Sequence, residues 1–327
     1  VDGAKRIFAT RADGLDLLLA DAPHLFKRPG GPYINEAGVD WVDNHLRFAG
    51  FSRVAANIAR DGIGGWKPDL LHVHDWQTAL APAYLKLDQR GGPPSVLTIH
   101  NIAFQGVFPS SQIDALALPR AGFHPDGYEY WGQVGFLKAG LVYADRITTV
   151  SPTYARELTA AEFGMGLQGV IAARRADFRG VLNGVDCDTW DPETDASLPQ
   201  RYSAADPSGK AASRAAVAEA FGVDLEPHAP LFGLVSRLTR QKGIDLLLAA
   251  LPRVLARGAT LVVLGSGDHD LEAAFRAAAT AYPRRVGVRI GYDEPLAHLM
   301  QAGADSILVP SRFEPCGLTQ LYALRYG

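Results

Sequence analysis

Short apolar runs alternate with helix-spaced apolar residues along nearly the whole chain, and few architectures accept that pattern. A short run bounded by turn residues reads as a buried parallel strand. An i, i+3, i+4, i+7 spacing reads as a helix packed on it. Chains written this way build βαβ units around parallel sheets. Strands are read at 70–74, 95–100, 146–150 and 180–184, then at 230–236, 260–264, 286–290 and 306–310. Helices are read at 77–87, after Ser151 as N-cap, at 244–255, 271–281 and 296–301, and beyond Gly317. Pro252 falls inside one of them and is expected to kink or divide it. Residues 186–230 are rich in Pro, Asp, Ser and Ala, show little periodicity before 211, and read as a domain connection. The expected fold class is α/β, with two Rossmann-like domains, 1–182 and 183–327, facing each other across a cleft. Both read as incomplete.

The polar residues that stand out follow the strands. Asp75, His100-Asn101 and Asn183 close first-domain strands; Arg237, Asp268, Tyr292 and Glu314 close second-domain strands. Open α/β sheets hold ligands at that edge. In the segment Pro310-Ser311-Arg312-Phe313-Glu314-Pro315-Cys316-Gly317-Leu318, an acid follows a strand and Gly317 stands where a helix begins. A helix start favours phosphate, whereas Glu314 repels it. A ligand that is part anion and part polyhydroxyl, such as a nucleotide sugar, suits both. Arg237 and Lys242 bracket one strand-to-helix loop and can converge on one anion, as a bidentate fork and a mobile point charge. Such a pair can also be two solvated surface cations; its place at the strand edge favours the anion.

The remaining candidates carry weaker signals. His72 and His74 share one strand face, which permits a metal, but no third ligand with metal-like spacing is near. His72 reads as packed in a buried strand, and His74-Asp75, at the strand end, as facing ligand. Gly265-Ser266-Gly267-Asp268 reads as lining a nucleotide pocket or as a plain turn. Tyr292 can stack on a base or simply pack. Cys316, at the expected helix start, stands where a thiol pKa falls; it reads as lining the site, so that alkylating it blocks nucleotide binding.

Composition removes several function classes. Lys plus Arg number 32 against 35 acids, a formal charge of −3, so neither a nucleic-acid surface nor a polybasic membrane surface is indicated. Cys187 and Cys316 form no CxxC and no disulfide framework, which fits a reducing compartment. No apolar run reaches membrane-span length. The first residues form no signal peptide, and both ends read as cut.

Taken together, the motifs resemble bacterial glycogen synthase and plant starch synthase, retaining glucosyltransferases with two Rossmann-like domains of the GT-B type. They are Val73-His74-Asp75-Trp76, Thr98-Ile99-His100-Asn101 through Gly106, Val150-Ser151-Pro152-Thr153-Tyr154-Ala155, Leu182-Asn183-Gly184-Val185-Asp186, Val235-Ser236-Arg237-Leu238-Thr239 with Gln241-Lys242-Gly243, and Pro310 to Leu318. They run in family order from about residue 20 to the end. The resemblance implies transfer of glucose from ADP-glucose to the non-reducing 4-OH of an α-1,4-glucan, with retention and release of ADP. It implies no cofactor and no metal, and a cytoplasmic location in a bacterium or the plastid stroma in a plant. By similarity, Arg237 and Lys242 hold the diphosphate and Glu314 reaches the glucose hydroxyls. The amides around Gly317-Leu318, with Cys316 beside them, border sugar and phosphate. His100, Asn101 and Asp75 approach the glucose, with the His100 carbonyl near the anomeric carbon. Tyr292 matches the adenine-stacking residue, and Tyr33 a first-domain site residue.

Many related transferases carry a second Glu on the helix after the first. Tyr322 holds that position here, which fits the glycogen and starch synthases. A Lys-rich Gly-Gly loop before the start and a Thr-Gly-Gly loop after the end are absent, so this stretch alone is expected to bind ADP-glucose weakly and turn over slowly. The alternatives are a UDP-glucose transferase, a non-catalytic sugar-nucleotide or glucan module, and an NAD-dependent oxidoreductase. The last lacks its three-Gly fingerprint.

Overall fold

The structure, a computed structural model, describes residue 4, residues 6–226 and residues 228–327. Contacts divide the chain into two compact units, Val1–Leu182 and Asn183–Gly327.

The first unit opens with a hairpin, β1 (Arg6–Ala12) and β2 (Leu15–Asp21), paired antiparallel from Arg6↔Asp21 to Ala12↔Leu15. Asp13 and Gly14 form its two-residue turn, both at positive φ, as the strand twist favours. That dipeptide is a hairpin signal the sequence reading passed over. A parallel sheet follows. Its strands are β3 (Leu71–His74) and β4 (Ser95–Ile99), then, after a small antiparallel sheet of β5 (Val107–Pro109), β6 (Glu129–Tyr130) and β7 (Gln133–Gly135), β8 (Arg146–Thr149) and β9 (Phe178–Gly180). The parallel order is β3-β4-β8-β9. Leu97, Ile99 and Ile147 are fully buried in it, with Phe136, Leu137 and Leu141 of the helix Phe136–Tyr143. Ser151 caps the helix Pro152–Glu157 by accepting from the Tyr154 amide at 2.9 Å, as expected. The strand expected at 180–184 instead ends at Gly180; one further bond, Val181 N–H to the Thr149 carbonyl, closes it.

The second unit is a doubly wound sheet of β10 (Leu231–Val235), β11 (Thr260–Gly265), β12 (Val286–Ile290) and β13 (Ser306–Ile307), in the parallel order β12-β11-β10-β13. Period-two alternation splits its core. Leu261 and Val263 face the helices Ile244–Leu255 and His269–Ala281; Val262 and Leu264 face Lys210–Phe221 and Glu294–Gly303. Every residue of β11 is buried, which is why it reads as one unbroken apolar run. Emptying such a position, Leu261→Ala for instance, costs roughly 2–5 kcal/mol.

Three sequence expectations change. Pro252 does not divide its helix. Ile244–Leu255 is continuous, and buried Ile244, Leu247, Leu251 and Leu255 hold both sides of the proline to the sheet. β13 is shorter than 306–310: Leu308 still donates to Gly233, but Pro310 has no N–H to continue the ladder. The stretch after 186 is more than a connection. Leu198 and Tyr202 pack into a core cluster with Ala302 and Tyr326, and Trp190 stacks between His298 and Tyr322, each ring 3.8 Å away. Asp195, buried, accepts from the Tyr326 hydroxyl at 2.5 Å and meets His298 Nδ1 at 2.7 Å. Tyr322, the position that separates subfamilies, is thus one face of an aromatic stack.

Candidate functional site

In the second unit the candidate residues gather at the carboxyl ends of β10, β11 and β12. A cavity of about 230 Å³ there is lined by Val235, Ser236, Arg237, Leu264, Gly265, Ser266, Gly291, Tyr292, Asp293 and Ala297. Arg237 is exposed, and among the described residues its guanidinium has no hydrogen-bond or ion-pair partner. Tyr292 is 85% exposed, its hydroxyl donating to Glu294 at 3.1 Å. The cavity therefore offers an open aromatic face, an open cation and an apolar floor. Asp268 is near but does not line it. The turn docks on Leu238 through the Asp268 amide, and Gly265 and Ser266 are the turn residues that face the cavity. The expectation that this turn lines a pocket therefore holds for Gly265 and Ser266 and not for Asp268, while Asp293, one residue past Tyr292, was not among the expected residues.

Beside this cavity, across Val235 and Ser236, lies the other half of the unit's site. Lys242 Nζ donates to both Glu314 oxygens, at 2.8 and 2.7 Å, and the Ser311 hydroxyl donates to Glu314 Oε2 at 2.9 Å. Both side chains are mostly buried. Sequence reading gave Lys242 to an anion and Glu314 to a sugar; here they neutralise each other, so Glu314 does not set an unbalanced negative charge against phosphate. Two loops are fastened to make this pair. Arg312 holds the Asp245 carboxylate at 2.7 and 2.8 Å and the Arg240 carbonyl at 2.6 Å. Gly243, at φ +66°, lets its loop lie on the Pro310 carbonyl, where a Cβ would come within 1.9 Å of the oxygen. The helix Leu318–Tyr326 then starts at Gly317, whose φ of +82° suits glycine at that cap.

Cys316 lies two residues before that helix, outside its first turn. Its thiol is pushed up, chiefly by burial and also by nearby Glu314, against a backbone bond from Asn183. This reverses the expected lowering, because the thiol stands among buried groups and a carboxylate instead of over free helix amides. Asn183 belongs with Cys316 in the second unit, and does not close a first-unit strand.

In the first unit the site is built on the ends of β3 and β4. Asp75, at φ +51°, turns its carboxylate back so that Oδ1 accepts from the His100 amide at 2.7 Å and the Asn101 amide at 3.4 Å. Burial pushes this carboxyl up, partly offset by those bonds. Asn101 Oδ1 in turn accepts from the Ala103 amide at 3.0 Å. His74 Nδ1 lies 2.9 Å from His100 Nε2, and the His72 and His74 rings are 4.3 Å apart. His72 is exposed, not packed as expected, because among the described residues only the opposite face of β3, where Val73 lies, is covered; its Nε2 meets Thr98 Oγ1 at 2.7 Å. Tyr33 sits against Phe48 and Trp76, with centroids 5.7 and 6.4 Å away, directly beside the Asp75 turn. Among the described residues no group of three or more His, Cys, Asp or Glu is placed to hold a metal ion, and no helix is long and apolar enough to cross a membrane.

Comparison with known proteins names this arrangement. Residues 3–173 match the starch synthase catalytic domain model, and residues 229–327 match glycosyl transferases group 1. Glycogen synthase of Roseobacter denitrificans is 59% identical over 99% of this chain and 68% of its own length. Glycogen synthase 2 of Bradyrhizobium diazoefficiens is 54% identical over 99% of this chain and 67% of its own. The catalytic domain of starch synthase IV from Arabidopsis thaliana, solved bound to ADP and acarbose, superposes with a TM-score of 0.87 at 33% identity, covering 98% of this chain and 66% of that one. The likeness to sucrose-phosphate synthase from Thermosynechococcus elongatus, TM-score 0.53 at 20% identity, extends to the fold alone. The chain thus spans about two thirds of the length of its relatives. It belongs to the glycogen and starch synthase family, glycosyltransferases of the GT-B fold.

Proposed function

We propose that the protein carrying this chain transfers glucose from ADP-glucose to the non-reducing 4-OH of an α-1,4-glucan such as glycogen or a maltooligosaccharide, retaining the anomeric configuration and releasing ADP in the cytoplasm. One observation carries the reading: Arg237 and Tyr292 line a single cavity at a parallel sheet's carboxyl edge, and the Lys242–Glu314 pair adjoins it. An open aromatic face suits a base, and an open guanidinium suits a diphosphate. In this reading Tyr292 stacks on adenine while Arg237, joined by Lys242, takes the charge that grows on the departing diphosphate. Glu314 then accepts from glucose hydroxyls. The amides at Gly317 and Leu318, with Cys316, border the sugar and phosphate.

The first-unit residues act on the sugar. Asp75 ties down the amides of His100 and Asn101, and so aims the His100 carbonyl, which faces positive charge at the anomeric carbon. Asn101 and Tyr33 border the sugar. In this reading no carboxylate acts as a nucleophile, and the exchange occurs on one face. The bond from the anomeric carbon to the diphosphate breaks, the bond to the incoming 4-OH forms on the same side, and that hydroxyl's proton passes to the departing phosphate oxygen. The relative solved with ADP and acarbose supports an adenine nucleotide donor and a glucan acceptor.

The test is incorporation of labelled glucose into glycogen from ADP-glucose or UDP-glucose. Incorporation from ADP-glucose in preference, with the new linkage cleaved by an α-specific glucosidase, is expected. Preference for UDP-glucose would overturn the donor assignment, and no incorporation from either would overturn the reaction.

A further inference from the structure

His74 has no part in the roles above, yet its ring is bonded directly to that of His100. His74 Nδ1 and His100 Nε2 are 2.9 Å apart, with ring centroids at 5.2 Å. His74 is itself held. The Thr78 hydroxyl accepts from its amide and donates to its carbonyl, each at 2.7 Å, and the His72 ring lies against its other side. His72 is fixed in turn through Thr98 Oγ1, which meets Thr148 Oγ1 at 2.6 Å. His100 is therefore gripped twice: at its amide by Asp75 and at its ring by His74.

We propose that His74 is a positioning residue for glucosyl transfer, fixing the His100 ring, and with it the end of β4, through the Nδ1–Nε2 hydrogen bond. This rests on His100 being a site residue, as read above. An N–H···N bond needs one ring to donate and the other to accept, so the pair holds at most one positive charge. A second proton separates the rings and releases His100. The titratable groups facing the pair are His72 and Asp75. Loss of water against its neighbours, then the charges of His72 and His100, push the His74 imidazole below the usual histidine value, which keeps the bonded form at neutral pH. The acid limb of the activity profile then belongs to the pair and not to either ring.

The test compares His74→Ala with His74→Asn, whose amide can occupy the place of Nδ1. In this chain, the His100 ring resonances should shift in His74→Ala and stay near wild type in His74→Asn. In the full-length protein, loosening His100 should lower kcat about tenfold to hundredfold in His74→Ala, with the KM for ADP-glucose nearly unchanged. His74→Asn should recover most of that loss and move the acid limb to lower pH, since its amide does not titrate. If His74→Ala leaves the His100 resonances, kcat and the acid limb as they were, the proposal is wrong. It is equally wrong if a folded His74→Asn behaves like His74→Ala. Absence of any transfer by the wild-type protein would defeat the functional reading instead, and the resonances would still decide the role of His74.

Discussion

The two units assemble their candidate sites by different physical means. In the first, His100 is placed by a ring-to-ring hydrogen bond and by backbone amides turned onto Asp75, over distances set by two adjacent strands. In the second, Glu314 is placed by a mostly buried ion pair between loops that a salt bridge and a glycine contact fasten together. The first arrangement, among the described residues, aims atoms through hydrogen bonds to one carboxylate and between rings, with no ion pair. The second stores opposite charges side by side, next to the open Arg237. A sugar diphosphate presents both problems at once, a neutral ring to orient and an anion to balance.

If that contrast is right, Glu314→Ala should have the largest effect. It removes the proposed sugar contact and leaves Lys242 without its partner, and kcat/KM should fall roughly 10²–10³-fold; initial rates of glucan synthesis measure it. The stabilities of Lys242→Ala and Arg237→Ala should differ. The first leaves a mostly buried carboxylate unpaired and should cost about 1–3 kcal/mol in urea unfolding. The second removes an exposed, unpartnered side chain and should stay within about 0.5 kcal/mol. Equal losses would erase the distinction between stored and open charge.

The first unit gives a prediction with a sign. Burial raises the Asp75 pKa, so the folded state keeps that proton longer than the unfolded chain does. Stability from this group is complete below the ordinary carboxylate range and is lost as pH rises through the raised value. Asp75→Asn keeps an acceptor for the two amides but does not ionise. Its melting temperature should match wild type at about pH 3 and exceed it at neutral pH, the gap opening from about pH 4 upward. A gap opening in the opposite direction would mean that the amide bonds outweigh burial. The smallest effect concerns Cys316. Its raised thiol pKa predicts slow alkylation at neutral pH and faster labelling as pH climbs above the usual thiol value, with ADP protecting it. Unchanged nucleotide binding after complete labelling would remove Cys316 from the site.

Much of this was legible in the chain. Strand-edge placement of Arg237, Tyr292 and Glu314 follows from local periodicity, as do the Ser151 cap and Gly317 at its helix start, because each depends on neighbours within a turn or two. What sequence could not show was set by distant contacts. Lys242 meets Glu314 where Arg312 reaches Asp245 and where Gly243, lacking a Cβ, lets the Pro310 carbonyl come close. Residues 186–230 read as a domain connection because they are rich in Pro, Asp, Ser and Ala with little periodicity before 211, yet Leu198 and Tyr202 are core, Trp190 packs against them, and Asp195 is buried against His298 and Tyr326. The exposure of His72 depended on which face of β3 other elements cover, which no local pattern states.

Calorimetric titration of ADP into this chain and its Arg237→Ala and Tyr292→Ala variants tests the central claim, that the second unit's cavity is the nucleotide site. Wild type should bind ADP. Binding should weaken by about tenfold or more without the guanidinium proposed to face the diphosphate, and by about tenfold without the ring proposed to stack on the base. Equal affinity in all three proteins would contradict the account.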